Sequence, residues 1–515
     1  MPVHQSEILL DEDAVAESPK KSYQTLRSRI KRIVLWHNEE WKGMRLPGAA
    51  LFFFKFFFLG FAIAPPDVSR DAWWGVTLTA CTCMGSAMLP LPLPAFCVFV
   101  LALAGLSGGM TSEEIVSGFG SPDLWFNMFS FMTMRAFTVT GLGKRLGLTV
   151  YKYLGFNVLL VAYVICIIEL ILSLFITSPA VRGVGLIMPV LVPLLEHGFK
   201  SLPEEGTERE VGSYLVLVEI TANAFVSACW FTGYNDVNDY IASYLNDNGI
   251  NADFNFWATQ VSIPVIFAVL LVPLMVYLLH RPKYVRNPKA HQDACKRLRQ
   301  LGNVSCPEVI VAVVYVATLA LWIAASMSPG FYISDMVIAA IGIAALLAVG
   351  IIDSDSAILD DKRPFRMLIY YGTLLSVIQN CVSKGYWSYP FARKYVVEWL
   401  DGLPVGSSLL LGTFVMYFTS YLYTSPLAHA KDFYPPIFES MMLNSVPSHL
   451  GSSAISYVTM ARNLSPYTSP TNPAYYALEY VTARQWWFCG VASLALNYLF
   501  LISVGFLWWL ILGDW

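Results

Sequence analysis

Phe175-Ile-Thr-Ser-Pro-Ala-Val-Arg-Gly and Leu422-Tyr-Thr-Ser-Pro-Leu-Ala-His-Ala are two versions of one phrase, set 247 positions apart. Each carries Thr-Ser-Pro, then a cationic or titratable residue four positions after the serine (Arg182, His429), then a further proline (Pro189, Pro435). Serine is a preferred N-cap, because its hydroxyl accepts from the free N–H groups of a first helical turn. Proline is favoured at the next position, where its missing N–H costs nothing. Ser178-Pro179 and Ser425-Pro426 are therefore expected to start two helices. Both phrases lie at the turns of apolar helical hairpins, 154–198 and 405–446. A helix N-terminus offers unpaired N–H donors and about half a positive charge. Two such ends, with Arg182 and His429 one turn further on, would suit an anion with two carboxylates. Arginine can hold a carboxylate in bidentate fashion.

The rest of the chain provides a membrane for these hairpins. Of 515 residues 56% are hydrophobic and only 13% charged, about half the charged share of a soluble domain. The net charge of −3 gives no reason to expect a nucleic-acid partner. Apolar stretches run at 48–65, 72–92, 94–109, 122–142, 154–176, 183–198, 211–231, 257–280, 307–328, 331–352, 366–385, 405–423, 431–446, 447–463 and 485–512. A helix needs about 20 residues to cross a bilayer core. The segments 183–198, 431–446 and 447–463 are short, and the first is interrupted by Pro189 and Pro193, as expected of re-entrant or discontinuous helices. Basic clusters at Lys144–Arg145–Lys152, Arg281–Arg299 and Lys362–Arg363–Arg366, with the basic part of the N-terminal tail, mark the cytosolic side. The loops at Glu113–Glu114 and between Asp236 and Asp253 hold acids and no Lys or Arg. The alternation closes if both hairpins enter and leave on the same side, with Trp515 outside.

These readings predict an all-α polytopic membrane protein with two re-entrant hairpins and two broken helices. The organisation runs as a cytosolic tail (1–46), a first helix outside the repeat (47–70), a first repeat (71–280), a basic cytosolic linker (281–306) and a second, inverted repeat (307–515). The breaks are Phe231-Thr-Gly-Tyr-Asn-Asp and Ser465-Pro-Tyr-Thr-Ser-Pro-Thr-Asn-Pro. The nine cysteines show no metal-ligand spacing and read as buried thiols, and the sequons at Asn303 and Asn463 match by pattern only. Arg182 has a structural alternative in an ion pair with Glu196. Glu219 is a candidate proton carrier or a hydrogen-bonded structural acid, and Lys55 is expected to snorkel. No nucleophile–base set, phosphate loop or metal cluster is visible, so neither an enzyme nor a cofactor is expected.

The chain resembles the divalent anion/sodium symporter family, especially its branch of plastid-type 2-oxoglutarate/malate translocators and their bacterial relatives. The resemblance covers about residues 45–515. It is carried by Pro66-Asp-Val-Ser-Arg-Asp-Ala-Trp with Leu89-Pro-Leu-Pro-Leu-Pro, by Arg135-Ala-Phe-Thr-Val-Thr-Gly-Leu-Gly-Lys-Arg, by the two hairpin tips, and by Tyr475-Tyr476 with the final Trp-rich helix. It implies an elevator-type transporter and a homodimer. The substrates implied are dicarboxylates such as malate, 2-oxoglutarate, succinate or fumarate. The substrate-binding residues implied are Ser178, Arg182, Ser425 and His429, with Thr232, Asn235, Thr468 and Ser469 from the broken helices. Sodium-coupled members read Ser-Asn-Thr at each tip. Here Pro179 and Pro426 stand at the Asn positions, and Ala180 and Leu427 at the Thr positions. Those oxygen ligands are missing, so exchange, or proton coupling through His429, is expected rather than sodium symport. Competing readings are a carrier of citrate, sulfate or an acidic amino acid, and a non-transporting sensor or scaffold. The membrane is a plasma membrane or an organelle inner membrane of plastid-envelope type.

Overall fold

The computed structural model describes residues 62–63, 69–88, 93–229, 236–328, 333–353, 361–384, 389–459, 463 and 465–515. Lys55, the phenylalanine run beside it and the N-terminal tail lie outside these residues. Among the described residues every regular element is a helix, with one isolated β-bridge between Asn157 and Arg286. In chain order the helices are α1 (Arg70–Met88), α2 (Leu93–Leu106), α3 (Ser112–Ser117), α4 (Pro122–Thr140), α5 (Leu142–Leu154), α6 (Val158–Leu172) and α7 (179–199). Next come α8 (Gly212–Val226), α9 (Asp236–Asp247), α10 (Phe254–Leu279), α11 (Ala290–Leu301), α12 (Cys306–Met327), α13 (Asp335–Ala348) and α14 (Lys362–Ser383). The chain ends with α15 (Tyr389–Leu400), α16 (Val405–Thr419), α17 (Pro426–Leu443), α18 (Ser448–Thr459), α19 (Asn472–Ala477) and α20 (Ala483–Leu512).

Helix starts follow local chemistry. Thr111–Glu114, Ser305–Glu308 and Thr482–Gln485 are reciprocal capping boxes at α3, α12 and α20. Gly141, at φ 82°, closes α4 and opens α5 at once. The sharp turn between these helices rests on a conformation that glycine adopts without a Cβ penalty.

The distribution of side chains is that of a bilayer protein. Val309, Val313 and Val316 on α12, and Leu499, Ile502, Leu507, Leu510 and Ile511 on α20, face outward. Ser, Thr and Asn side chains such as Ser376, Thr373, Asn127 and Ser456 are buried. Apolar outside and polar inside is stable only where the outer solvent is hydrocarbon. Four helices among the described residues are long and apolar enough to cross a membrane: Val181–Glu205, Phe254–Leu279, Cys306–Met327 and Ala483–Leu512.

The basic stretches gather at one end. Arg145 pairs with Glu308 (2.9 Å) and donates to the carbonyls of Gly302 and Asn303. His291 lies 3.1 Å from the Lys152 carbonyl, Arg297 donates to the His197 carbonyl, and Arg363 sits 3.7 Å from Glu196. At Glu114 the partner is Lys384 at 2.9 Å.

Two apolar segments differ from their expected extents. α7 is longer than 183–198, because π-helical turns at Val181–Ile187 and Leu194–Phe199 flank the part of the helix that holds Pro189 and Pro193. Widened turns absorb the hydrogen bonds that a proline removes. The segment 431–446 is no separate span: α17 runs unbroken from Pro426 through Pro435 and Pro436, both buried. Asn463 is buried and donates to the Thr221 hydroxyl at 2.7 Å, so the sequon at 463 is inaccessible to a glycan.

Candidate functional site

Two helical hairpins carry the site. α6 and α16 are each 15 residues long and start 247 positions apart, as do α5 and α15 before them. The two tips are built alike. Ser178 accepts from the Val181 N–H at 3.4 Å as the helix opens at Pro179. Ser425 accepts from the Ala428 N–H at 3.3 Å, with Pro426 first in α17. Ser178, Pro179, Ser425 and Pro426 are half-buried. Both half-helices therefore begin where the sequence places them, with their first N–H groups at the hairpin tips.

Behind the tips the chemistry diverges. Arg182 is 1% exposed and spends all but one of its donated hydrogen bonds inside its own hairpin. Its Nε donates to Glu169 at 2.9 Å, its Nη1 to the carbonyls of Ile176 (2.8 Å) and Thr177 (3.0 Å), and its Nη2 to the Ser227 hydroxyl (3.0 Å). The acid that Arg182 meets is thus Glu169 on α6 rather than Glu196. The arginine ties the tip carbonyls to both α6 and the end of α8. His429 is also buried: Nε2 lies 2.8 Å from the Thr419 hydroxyl, and the ring stacks on Phe433 and meets the edge of Tyr423.

The Arg182 pair continues into a buried network. Asn223 on α8 donates to Glu169 at 2.9 Å and to the Pro179 carbonyl at 3.0 Å. Its carbonyl oxygen accepts from Thr471 at 3.1 Å. Tyr475 on α19 donates to the Gly183 carbonyl at 3.0 Å and lies 3.4 Å from Glu219. Gly183 permits this packing: a Cβ there would sit 2.6 Å from Thr471 Cγ2, 3.1 Å from Asn223 Nδ2 and 3.4 Å from Glu219 Oε1. The first hairpin, the end of α8 and the break before α19 are therefore one polar unit.

Of the other residues expected at the site, Thr468 and Ser469 are buried in the second break, where Thr468 donates to the Ser465 carbonyl at 3.1 Å. Thr232 and Asn235 lie outside the described residues. Glu169, Asn223, Ser227 and Thr471 were not expected at the site. Glu169 had a readable signal, being the lone acid in the apolar run Val158–Leu172. An ionisable residue inside a membrane is by default a functional candidate.

Paired hairpins, serine-capped half-helices and interrupted helices within an apolar shell define a polytopic membrane transporter. The chain belongs to the family described as sodium:sulfate symporter transmembrane region, whose profile matches residues 49–515. It is similar to the putative malate transporter YflS of Bacillus subtilis, 27% identical over 458 residues, covering 88% of this chain and 94% of the relative. It is also 27% identical over 461 residues to the chloroplastic dicarboxylate transporter 1 of Spinacia oleracea, covering 88% and 79%. A third relative is the L-tartrate/succinate antiporter of Escherichia coli, 24% identical over 397 residues and covering 76% and 80%. Among solved structures, the YdaH transporter of Alcanivorax borkumensis aligns with 84% of this chain and 98% of its own at 15% identity. Its TM-score of 0.35 is too low for its arrangement to be carried over. The resemblance read from the motifs therefore holds at the level of the family, which is one of transporters rather than enzymes.

Proposed function

We propose that the protein carries small dicarboxylates (malate, 2-oxoglutarate, succinate or fumarate) across its membrane, by exchange or with protons rather than with sodium. The observation that carries this reading is the matched pair of half-helix starts at Ser178 and Ser425. Each opens a serine-capped helix at a half-buried tip, so the positive end of a helix dipole lies there, a pattern suited to one carboxylate apiece. Relatives named for malate, tartrate, succinate and dicarboxylate transport support the substrate class. Ser178, Arg182, Ser425, His429, Thr468 and Ser469, with Thr232 and Asn235, form the proposed binding set. Arg182 acts within it by holding the first tip in shape, since its donors are engaged by the hairpin. Exchange or proton-linked transport by inverted repeats moving as an elevator within a homodimer is the proposed mode. At the tips, Pro179, Ala180, Pro426 and Leu427 supply none of the side-chain oxygens that a sodium ion would use.

The test is uptake of labelled malate by the purified protein in liposomes, with internal dicarboxylate, sodium gradient and pH varied separately. Uptake that needs internal dicarboxylate or a proton gradient and ignores sodium supports the reading. Strict sodium dependence, or uptake of sulfate in place of malate, refutes it.

A further inference from the structure

We propose that Glu219 is a proton-binding site and that its proton favours binding of the substrate anion at the first hairpin tip. The inference deepens the dicarboxylate reading and rests on it for the second clause only.

The argument is one of charge and partners. Glu169 and Glu219 are both fully buried, and Arg182 is 1% exposed. Arginine stays charged in any protein environment. Glu169 receives Nε of Arg182 and Nδ2 of Asn223, the donors that an ionised carboxylate needs. Glu219 is treated differently. Its Oε1 has a long contact from Tyr475 at 3.4 Å, its Oε2 receives no donor, and its carboxyl meets that of Glu169, a contact that needs a proton between them. Were both acids ionised, the cluster would hold two negative charges against one positive, buried from water. Such an uncompensated charge is expensive, and a single proton removes it. Glu219 takes that proton because Glu169 already has the cation.

Among the described residues, groups facing Glu219 from the elements around it do not offer a second cation. α6 contributes Glu169 and the Cys166 thiol, α7 contributes Arg182, and α19 contributes Tyr475. Tyr315 on α12 lies beyond Tyr475. α10 carries no Asp, Glu, Lys, Arg or His. On α20 the thiol of Cys489 faces Thr221, and Arg484 stands at the first turn of that helix.

The location gives the proton a consequence. Tyr475 joins Glu219 to the Gly183 carbonyl, and Gly183 follows Arg182 in the helix that opens at Ser178. An ionised Glu219 would put a net negative charge behind a tip proposed to receive an anion, and a protonated one would not. Binding of proton and anion is then mutually favourable, as linkage requires. The sign is fixed: lower pH fills Glu219 and tightens anion binding, and higher pH weakens it by up to about tenfold per pH unit for one linked proton.

Two measurements on the full chain in lipid vesicles separate the clauses. The first is infrared spectroscopy near neutral pH, comparing wild type with Glu219→Gln. A protonated-carboxyl C=O band present in wild type and lost in the variant is expected; equal spectra overturn the proton site, whatever is transported. The second is malate affinity between pH 6 and 8. Wild type should bind more tightly as pH falls, and Glu219→Gln should bind at the acid-form affinity throughout. A pH dependence that survives in Glu219→Gln overturns the linkage. Failure of wild type to bind or take up malate overturns the substrate reading, while the infrared result still decides where the proton sits.

Discussion

Replacing Arg182 by methionine tests whether this residue braces the hairpin or is reserved for substrate. Methionine preserves much of the side-chain volume and deletes four donated hydrogen bonds, to Glu169, Ile176, Thr177 and Ser227. Glu169 would keep only Asn223 and remain a buried, unpaired charge. Removing one partner of a buried ion pair costs about 3–5 kcal/mol. The two stranded carbonyls would each add about 1–3 kcal/mol if water cannot reach them. Arg182→Met is thus expected to lower the apparent melting temperature of the purified protein by many degrees, followed by intrinsic fluorescence in detergent. Adding Glu169→Gln removes the orphaned charge, so the double variant should regain about 2–3 kcal/mol relative to Arg182→Met alone. The reasoning fails if Arg182→Met melts with wild type yet loses uptake, because the guanidinium would then be working for the substrate and not for the hairpin.

Gly183→Ala would force a Cβ to within 2.6 Å of Thr471 and 3.1 Å of Asn223. It should cost about 1–3 kcal/mol by overpacking, read as a lower melting temperature with slower malate uptake. Ser425→Ala removes the cap of α17, for a loss of about 1 kcal/mol and a weakened apparent affinity for malate. At the opposite end from the basic clusters, Glu114 is held below its ordinary value by the Lys384 ammonium and then by the Thr111 N–H. Its folded-state value lies below its unfolded one, so this stabilisation is present at neutral pH and fades as pH falls below about 4.5. Acid titrations of wild type and Lys384→Met should diverge at neutral pH and converge as the solution becomes acidic.

Much of the hairpin geometry was legible because it depends on local chemistry. Ser-Pro ahead of an apolar helical run favours a helix start, so Pro179 and Pro426 as first helical residues followed from the two matching phrases. The extents of α7 and α17 were harder to read. Proline argues for interruption locally, but π-helical turns beside Pro193 and tight packing around Pro435 and Pro436 keep both helices running. Packing of this kind involves residues far away in the chain. The same limit applied to the side of the site behind the tips. Arg182 was visible as an intramembrane cation, yet Glu196 and Glu169 are almost equally distant from it in sequence. Only the antiparallel return of α7 along α6 brings Glu169 to it. Asn223 and Thr471, 248 positions apart, meet through the same folding back of the chain.

The neutral pairing of Arg182 with Glu169 bears on how the carrier responds to voltage. Moving an elementary charge through a membrane potential is worth about 2.3 kcal/mol per 100 mV. A guanidinium and a carboxylate held 2.9 Å apart within one hairpin would travel together in any movement of that hairpin, and the electrical work done on one would be cancelled by the other. This ion pair thus adds no net gating charge to the hairpin. Dependence of a transport current on membrane potential would then come from the other charges that move and from the ions being carried.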